Sequence, residues 1–335
     1  MMRSKVRYLD IAIAADVSLT TAERVLNERG SVSAATREKV LQAARELSFG
    51  RVVPTAGHRN LVIETILQSN PTPYWSKLAE ALQRSARMLP RGVTLHRTFV
   101  SGASEIRRAI ERPSVRRSGL IVAAEIGEDI ESGLRQVMQR GELVVSMSTM
   151  RTGLANQVYS GIDNVAAGRT AASLVNFGLR GMPGLVLVLQ GNDRMQSHRD
   201  RVQGFLEAMA DAHAVEVRLT NETDGQSRRQ LATIMAEGRM PLAIYETGDP
   251  GDEIAPLLRI VGPRPIWIGH EHNSVHDALM REGLLDFVLD QDPSAQVTWA
   301  ISQILSALNV ASPSFTRMPL PELRLYCSAN LPEIH

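Results

Sequence analysis

Cysteine and lysine are the two scarcities of this chain. Its 335 residues hold one cysteine, Cys327, and three lysines, Lys5, Lys39 and Lys77. A single cysteine excludes an internal disulfide framework and fits a reducing compartment, and Cys327 reads as a small buried apolar residue. The few lysines lie in no Gly-x-x-x-x-Gly-Lys-Ser/Thr loop, which argues against a P-loop nucleotide hydrolase. Long apolar runs are missing as well. No stretch approaches the length needed to cross a bilayer. Arg3, Lys5, Arg7 and Asp10 interrupt the start, where a secretory apolar segment would lie. The chain therefore reads as cytoplasmic, with no membrane partner. What is present suits a globular protein of two or three domains, with 44% hydrophobic and 22% charged residues. The formal charge is +1 but unevenly spread: residues 1–60 hold ten Lys/Arg against six Asp/Glu, the rest 27 against 30. A basic head on a slightly acidic body suits a DNA-binding module joined to a ligand-binding one. Four charges also make an ordinary solvated face.

The most informative stretch runs from Val17 to Asn27. Val17, Ala22, Val25 and Leu26 fall at helical spacing and predict a packed stripe. Ser18 stands where its oxygen would cap the first turn. Leu19, Thr20, Thr21, Arg24 and Asn27 face the other way. Small hydroxyls reach phosphates or base edges, and a guanidinium reads guanine with two parallel bonds. The segment before it, about 8–15, predicts another helix, and the pair reads as a helix-turn-helix. Ser33 caps a third helix, about 34–47, with Val40, Leu41, Ala44 and Leu47 on one face. In the turn between, Gly30 is free to take a positive φ.

The runs Leu9-Asp10-Ile11-Ala12, Ala15-Asp16-Val17-Ser18, Arg24-Val25-Leu26-Asn27 and Val32-Ser33-Ala34-Ala35-Thr36-Arg37-Glu38-Lys39-Val40 resemble the DNA-binding head of the LacI family of repressors. The resemblance implies that Leu19, Thr20, Thr21, Arg24 and Asn27 touch DNA, and that Ser18, Ser33 and Thr36 hold phosphates or cap helices. Three departures stand out. Arg7 occupies the usual Ser/Thr cap of the first helix and weakens it. Asp16 replaces a turn glycine, and aspartate is one of the few residues that tolerates a left-handed conformation. Glu23 precedes the recognition arginine, where it repels phosphate or accepts from a cytosine amino group. The linker departs most. Family members carry a hinge helix that wedges into the minor groove, whereas Phe49–Arg59 holds one proline, two glycines and no such pattern. It reads as an extended basic tether. Minor-groove contact by Arg51 or Arg59 is the alternative. The resulting division is a helix-turn-helix head at 1–49, a linker at 50–60 and a core at 61–335.

From Leu61 short apolar runs alternate with amphipathic helices. Strands are expected at 61–67, 93–99, 119–124, 143–147, 185–190, 215–220, 242–246, 265–269 and 285–290. Helices are expected at 75–88, 104–111, 129–140, 164–177, 199–212, 226–237, 251–261, 274–281 and 294–308. This pattern means parallel sheets covered on both faces. So many units imply two α/β lobes, divided near 159–163. The body resembles the periplasmic-binding-protein-like core of the same family through Gly161-Ile162-Asp163-Asn164, Ser197-His198-Arg199-Asp200-Arg201 with Gly204-Phe205, Ile268-Gly269-His270-Glu271 and Asp290-Gln291-Asp292-Pro293. The resemblance places further crossings between the lobes near 290 and 325.

Ligands of open α/β sheets sit at the carboxyl ends of strands. Candidates there are Tyr74 and Trp75, whose rings would stack on a sugar or pack locally. Arg199 is the residue that the resemblance makes a ligand donor. An arginine near a helix N-terminus opposes the dipole and needs a partner. Glu246 and Glu271 end strands, and Asp290 and Gln291 lie at a crossing. Carboxylates accept paired hydroxyl bonds, which fits a polyol or sugar. An Arg–Glu structural pair or solvated loop charges are the alternatives. His270, His272 and His276 lack zincin spacing, and Asn273 reads as a helix cap that leaves His272 outside, so no metal is assigned. Ser160-Gly161 and Ser197-His198 form no nucleophile elbow. No catalytic role and no cofactor are expected. The sequence thus predicts a homodimeric regulator that binds double-stranded operator DNA under the control of a small sugar-like effector. A sugar-binding protein with a degenerate head is the alternative.

Overall fold

The computed structural model describes residues 6–27, 32–47 and 61–332, except 71, 126, 152, 156, 221–224, 250, 311 and 317. The linker at 50–60, with Arg51 and Arg59, and the turn holding Gly30 lie outside the described residues.

The head is three helices, α1 (Tyr8–Ala14), α2 (Leu19–Leu26) and α3 (Ala34–Glu46). Apolar residues at three- and four-residue spacing meet in one core of Ile11, Ala12, Ala15, Ala22, Val25, Leu26, Val40, Leu41, Ala43 and Ala44. Ala43 packs where Leu47 was expected; Leu47 is 36% exposed. Arg7 brings no side-chain cap to α1, and Asp10 compensates by accepting the Arg7 backbone N–H at 2.7 Å. Asp16 takes φ +51°, the left-handed turn conformation that its short polar side chain tolerates.

The first sheet of the body has the order β2-β1-β3-β4-β5, all parallel: β1 (Leu61–Gln68), β2 (Val93–Val100), β3 (Gly119–Ala123), β4 (Val144–Met147) and β5 (Val158–Ser160). Helices α4 (Pro73–Ala86), α5 (Ala103–Glu111) and α6 (Glu128–Gln139) connect them. The second lobe holds α7 (Asn164–Leu179), β6 (Gly184–Gln190), α8 (Gln196–Ala208), β7 (His213–Leu219), α9 (Gln226–Ala236), β8 (Ala243–Glu246), α10 (Ala255–Leu258), β9 (Ile266–His270), α11 (Ser274–Glu282) and β10 (Phe287–Asp290). Its sheet runs β11-β10-β9-β8-β6-β7, where β11 (Arg324–Tyr326) is antiparallel to β10. Between β10 and β11 the chain forms α12 (Pro293–Ala307), which packs in the first lobe: Val297, Ala300, Ile301 and Ile304 join Leu78 and Leu82 of α4 over β1 and β4. The inner strands β1, β3, β4, β6, β8, β9 and β10 are covered on both faces, as continuous apolar strands require, whereas β2, β7 and β11 at the sheet edges stay partly exposed.

The helix expected at 251–261 contracts to α10. Gly251 sits at φ +57°, outside helical space, and Pro263 follows Gly262 closely. The helix expected from Arg199 begins three residues earlier, at Gln196. The short strands β5 and β11 had no sequence signal long enough to read.

Two glycines set the geometry of the second lobe. A Cβ on Gly168 of α7 would lie 2.0 Å from the Arg201 carbonyl oxygen, and one on Gly204 of α8 would lie 2.0 Å from that of Val165. The two backbones therefore touch, and the middle of α8 is pressed against the first turns of α7.

Candidate functional sites: an exposed helix face and a closed cleft

On α2 the Ser18 oxygen accepts the Thr21 backbone N–H at 3.1 Å and shares a 2.8 Å hydrogen bond with the Thr21 hydroxyl. This cap fixes where the helix starts, and so which side chains share its outer face. Ser18, Leu19, Thr20, Arg24 and Asn27 are exposed, Thr21 is half-buried, and Glu23 is exposed beside Arg24. Asn27 accepts from the Tyr8 hydroxyl at 3.3 Å. Ser33 caps α3 in the same way, accepting the Thr36 N–H at 3.2 Å and bonding its hydroxyl at 2.7 Å. Of the eight residues expected to meet DNA, Leu19, Thr20, Thr21 and Arg24 lie on α2, Ser18 and Asn27 cap its two ends, Ser33 caps α3 and Thr36 sits in the first turn of α3. The arrangement presents hydroxyls, a guanidinium and an amide on one surface.

The second site lies between the lobes. Tyr74 and Trp75 of α4 and Ser148 after β4 form one wall. Ser197, His198 and Arg201 of α8, Asp249 after β8, Glu271 after β9 and Gln291 after β10 form the other. The enclosed cavity is about 20 Å³, room for about one water molecule, so the lobes stand closed on themselves. Arg201 is 1% exposed. Its Nε donates to Asn164 Oδ1 at 2.9 Å and its Nη1 to the Thr247 carbonyl at 2.7 Å. Its Nη2 makes no hydrogen bond and lies 3.8 Å from Glu271 Oε1. Glu271 Oε2 is equally buried and unpartnered. A buried donor and acceptor left open side by side is costly unless a ligand fills them. Burial pushes the Glu271 carboxyl up to about 8, against the pull of Arg201. Burial pushes the His198 imidazole down to about 3, with Arg201 adding to the effect, so His198 is neutral. Asp249 accepts from Asn273 Nδ2 at 3.1 Å and lies 3.3 Å from His276 Nε2.

The structure brings together Tyr74, Trp75, Glu271 and Gln291 of the expected effector residues. It places three elsewhere. Arg199 bonds the Asp193 carbonyl and Gln196, on a separate open pocket with Glu128, Glu131 and Arg194. Glu246 is 2% exposed beneath its sheet, accepts from Trp267 Nε1 at 2.7 Å, and is raised to about 8 by burial. Asp290 braces its crossing, accepting the backbone N–H groups of His272 and Asp292 at 3.0 Å each. Sequence reasoning missed Arg201, Ser148 and Asp249. A signal for Arg201 existed: Phe205 follows four residues later, on the same helical face, and Phe205 is fully buried. Asn273 caps α11 as expected, accepting from Val275 and His276 at 2.9 and 3.0 Å, and His272 stays outside the helix. Among the described residues, no helix is long and apolar enough to cross a membrane.

Two family descriptions match the chain: "Bacterial regulatory proteins, lacI family" over residues 9–51, and "Periplasmic binding protein domain" over residues 63–311. Among curated relatives, the HTH-type transcriptional regulator DegA of Bacillus subtilis is 25% identical over 253 residues, covering 73% of this chain and 74% of DegA. The HTH-type transcriptional repressor PurR of Vibrio vulnificus is 26% identical over 223 residues, covering 64% of this chain and 62% of PurR. Among solved structures, the lac repressor dimer bound to operator and the anti-inducer ONPF matches with a TM-score of 0.64 and 19% identity, over 96% of this chain and 98% of that one. The glucose-galactose binding protein GanP of Geobacillus stearothermophilus matches with a TM-score of 0.69 and 16% identity, over 82% and 99%.

Proposed function

The chain belongs to the LacI family of bacterial regulatory proteins, the DNA-binding regulators of transcription, and from that premise we propose that it is a homodimeric, cytoplasmic repressor released from its operator by a small sugar or polyol. One observation carries the effector half of this reading: the buried Arg201–Glu271 pair leaves one donor and one acceptor open toward a closed inter-lobe cavity. A vicinal diol satisfies both at once, accepting from Nη2 and donating to Oε2. Trp75 and Tyr74 supply the apolar wall on which the carbon face of a sugar ring packs. Ser197, Ser148 and Asp249 offer further polar contacts. The cavity is smaller than any sugar, so the lobes open to admit ligand, and differential affinity for two lobe arrangements is what shifts DNA binding.

In the head, Ser18, Leu19, Thr20, Thr21, Arg24 and Asn27 meet the major groove, and Ser33 and Thr36 hold the backbone. Two heads in a dimer read a near-palindromic operator. No catalytic role belongs to this reading. The test is anisotropy titration against genomic fragments, the chain's own upstream region first, at moderate salt, with and without a panel of pentoses, hexoses and polyols. Sequence-preferring binding weakened by one panel member is expected. Binding that ignores sequence would overturn the reading and favour a sugar-binding protein with an inactive head.

A further inference from the structure

Gln296 lies outside the cavity, in the first turn of α12, and is fully buried. Its side-chain amide is satisfied at both ends. Oε1 accepts from the Tyr74 hydroxyl at 2.8 Å, and the Ser148 hydroxyl, itself hydrogen-bonded to Tyr74, lies 3.4 Å away. Nε2 donates to the Gln291 carbonyl at 3.0 Å and to Gln291 Oε1 at 3.2 Å. Two hydroxyls on one side and two oxygens on the other leave the amide a single workable orientation. The Gln296 carbonyl accepts from the Ser160 hydroxyl at 2.7 Å, which pins this turn of α12 to β5. Gln291 in turn donates its own Nε2 to Glu271 Oε1.

The bonds therefore run from the first-lobe wall of the cleft, through the crossing between β10 and α12, to the carboxyl group of the second-lobe wall. The other crossing holds the other half of the pair. Asn164 accepts from Arg201 Nε and donates to the Tyr159 hydroxyl at 3.3 Å, and that hydroxyl lies 3.4 Å from the Ser148 carbonyl. Three members of this ring or its crossings, Ser148, Glu271 and Asp292, hold φ of +65°, +69° and +47°. Non-glycine residues adopt such angles at a cost, where the surroundings fix them.

We propose that Gln296 is a positioning residue of the effector cleft: its buried amide registers Tyr74 and Ser148 of one lobe against Gln291, and through Gln291 aims the Glu271 carboxyl group at the ligand. The proposal rests on the cleft reading given above. A ligand that moves Glu271 or Tyr74 changes the length of this path.

The test compares Gln296→Met, which keeps the volume and removes both polar ends, with the wild-type chain in three measurements. The first is operator affinity without ligand, expected to stay within about twofold. The second is affinity for D-glucose, D-galactose, D-ribose and D-xylose by thermal shift, expected to fall ~tenfold or more for whichever binds the wild type. The third needs no ligand: the titration midpoint of the Glu271 carboxyl group by carbon-13 NMR, assigned with Glu271→Gln. The Gln291 hydrogen bond stabilises the ionised carboxylate, so loosening it moves the midpoint upward. An unmoved midpoint overturns the proposal. So does a parallel loss of melting temperature, operator affinity and sugar affinity with that midpoint unmoved, which marks a merely structural residue. If no sugar binds the wild type, the cleft reading fails, while the midpoint still decides the role of Gln296. Should Gln296→Met not fold, Gln296→Asn keeps a neutral amide, is one methylene too short to span Tyr74 and Gln291 at once, and carries the same three measurements.

Discussion

The head and the cleft solve recognition in opposite ways. The outer face of α2, proposed to meet DNA, comes from ten consecutive residues, Ser18 to Asn27; its side chains are exposed but for the half-buried Thr21, and one serine cap sets its register. The cleft draws on α4, β4, α8, β8, β9 and β10, spans more than two hundred residues of sequence, and keeps its key pair buried. An exposed face borrows water until DNA replaces it, so removing one group removes mainly one contact. A buried pair has already lost its water, so removing one partner strands the other. Each site therefore has its own pattern of mutational response, and substitutions test whether the contrast is real.

The largest effect is expected at Arg201. Arg201→Ala leaves Glu271 buried without its cation and Asn164 and Thr247 without their donor, and should cost about 3–5 kcal/mol of stability together with the whole effector response. Denaturant unfolding and sugar-induced release from DNA measure the two; a full response in a stable Arg201→Ala protein would break the comparison. Arg24→Ala should lose about 1–3 kcal/mol of base discrimination across operator variants and leave melting temperature and sugar affinity unchanged.

The buried carboxyls of the second lobe give a pH signature of their own. Glu246 and Glu271 are raised to about 8, so between their ordinary value and 8 the folded chain binds more protons than the unfolded one, and stability falls as pH rises. The depressed His198 and His270 act oppositely but only below about 6.5, where unfolded histidine charges. From about pH 6.5 to 8 the carboxyls act alone, each contributing a decline on the order of 1–2 kcal/mol. Glu246→Gln should flatten part of that slope in a pH series of unfolding curves; an unchanged slope would place the titration elsewhere. The smallest effect is expected at Arg199. It sits on the rim with a carbonyl and Gln196 as partners, and Arg199→Ala should shift stability by less than about 0.5 kcal/mol and leave the effector response intact. Loss of the response there would return the ligand role to Arg199.

Arg199 and Arg201 show where reading the sequence stopped. Both stand in one motif, and two residues apart on a helix point to nearly opposite sides. The choice between them depends on where α8 begins and which face meets α7. Gly168 and Gly204 fix that contact in three dimensions. Glu246 met the same difficulty on a strand: it alternates with Tyr245, so its carboxyl goes to the Trp267 side of the sheet while Tyr245 packs toward Phe205 and His270. Strand ends were legible from apolar runs and turn residues, but the parity of a strand end was not.

The sequence by itself determined the features built from neighbours in the chain. These are the three helices of the head, the Ser18, Ser33 and Asn273 caps, the left-handed Asp16, and most of the strand–helix alternation of the body. Local hydrogen bonds and short-range periodicity decide them, and both are written within a few residues. Only the tertiary structure decided which arginine enters the cleft, that Gln296 lies between its walls, and which face of α12 packs on α4. Each of these depends on contacts between segments far apart in the chain. Their energy appears only when both surfaces are packed, and no window of sequence contains both.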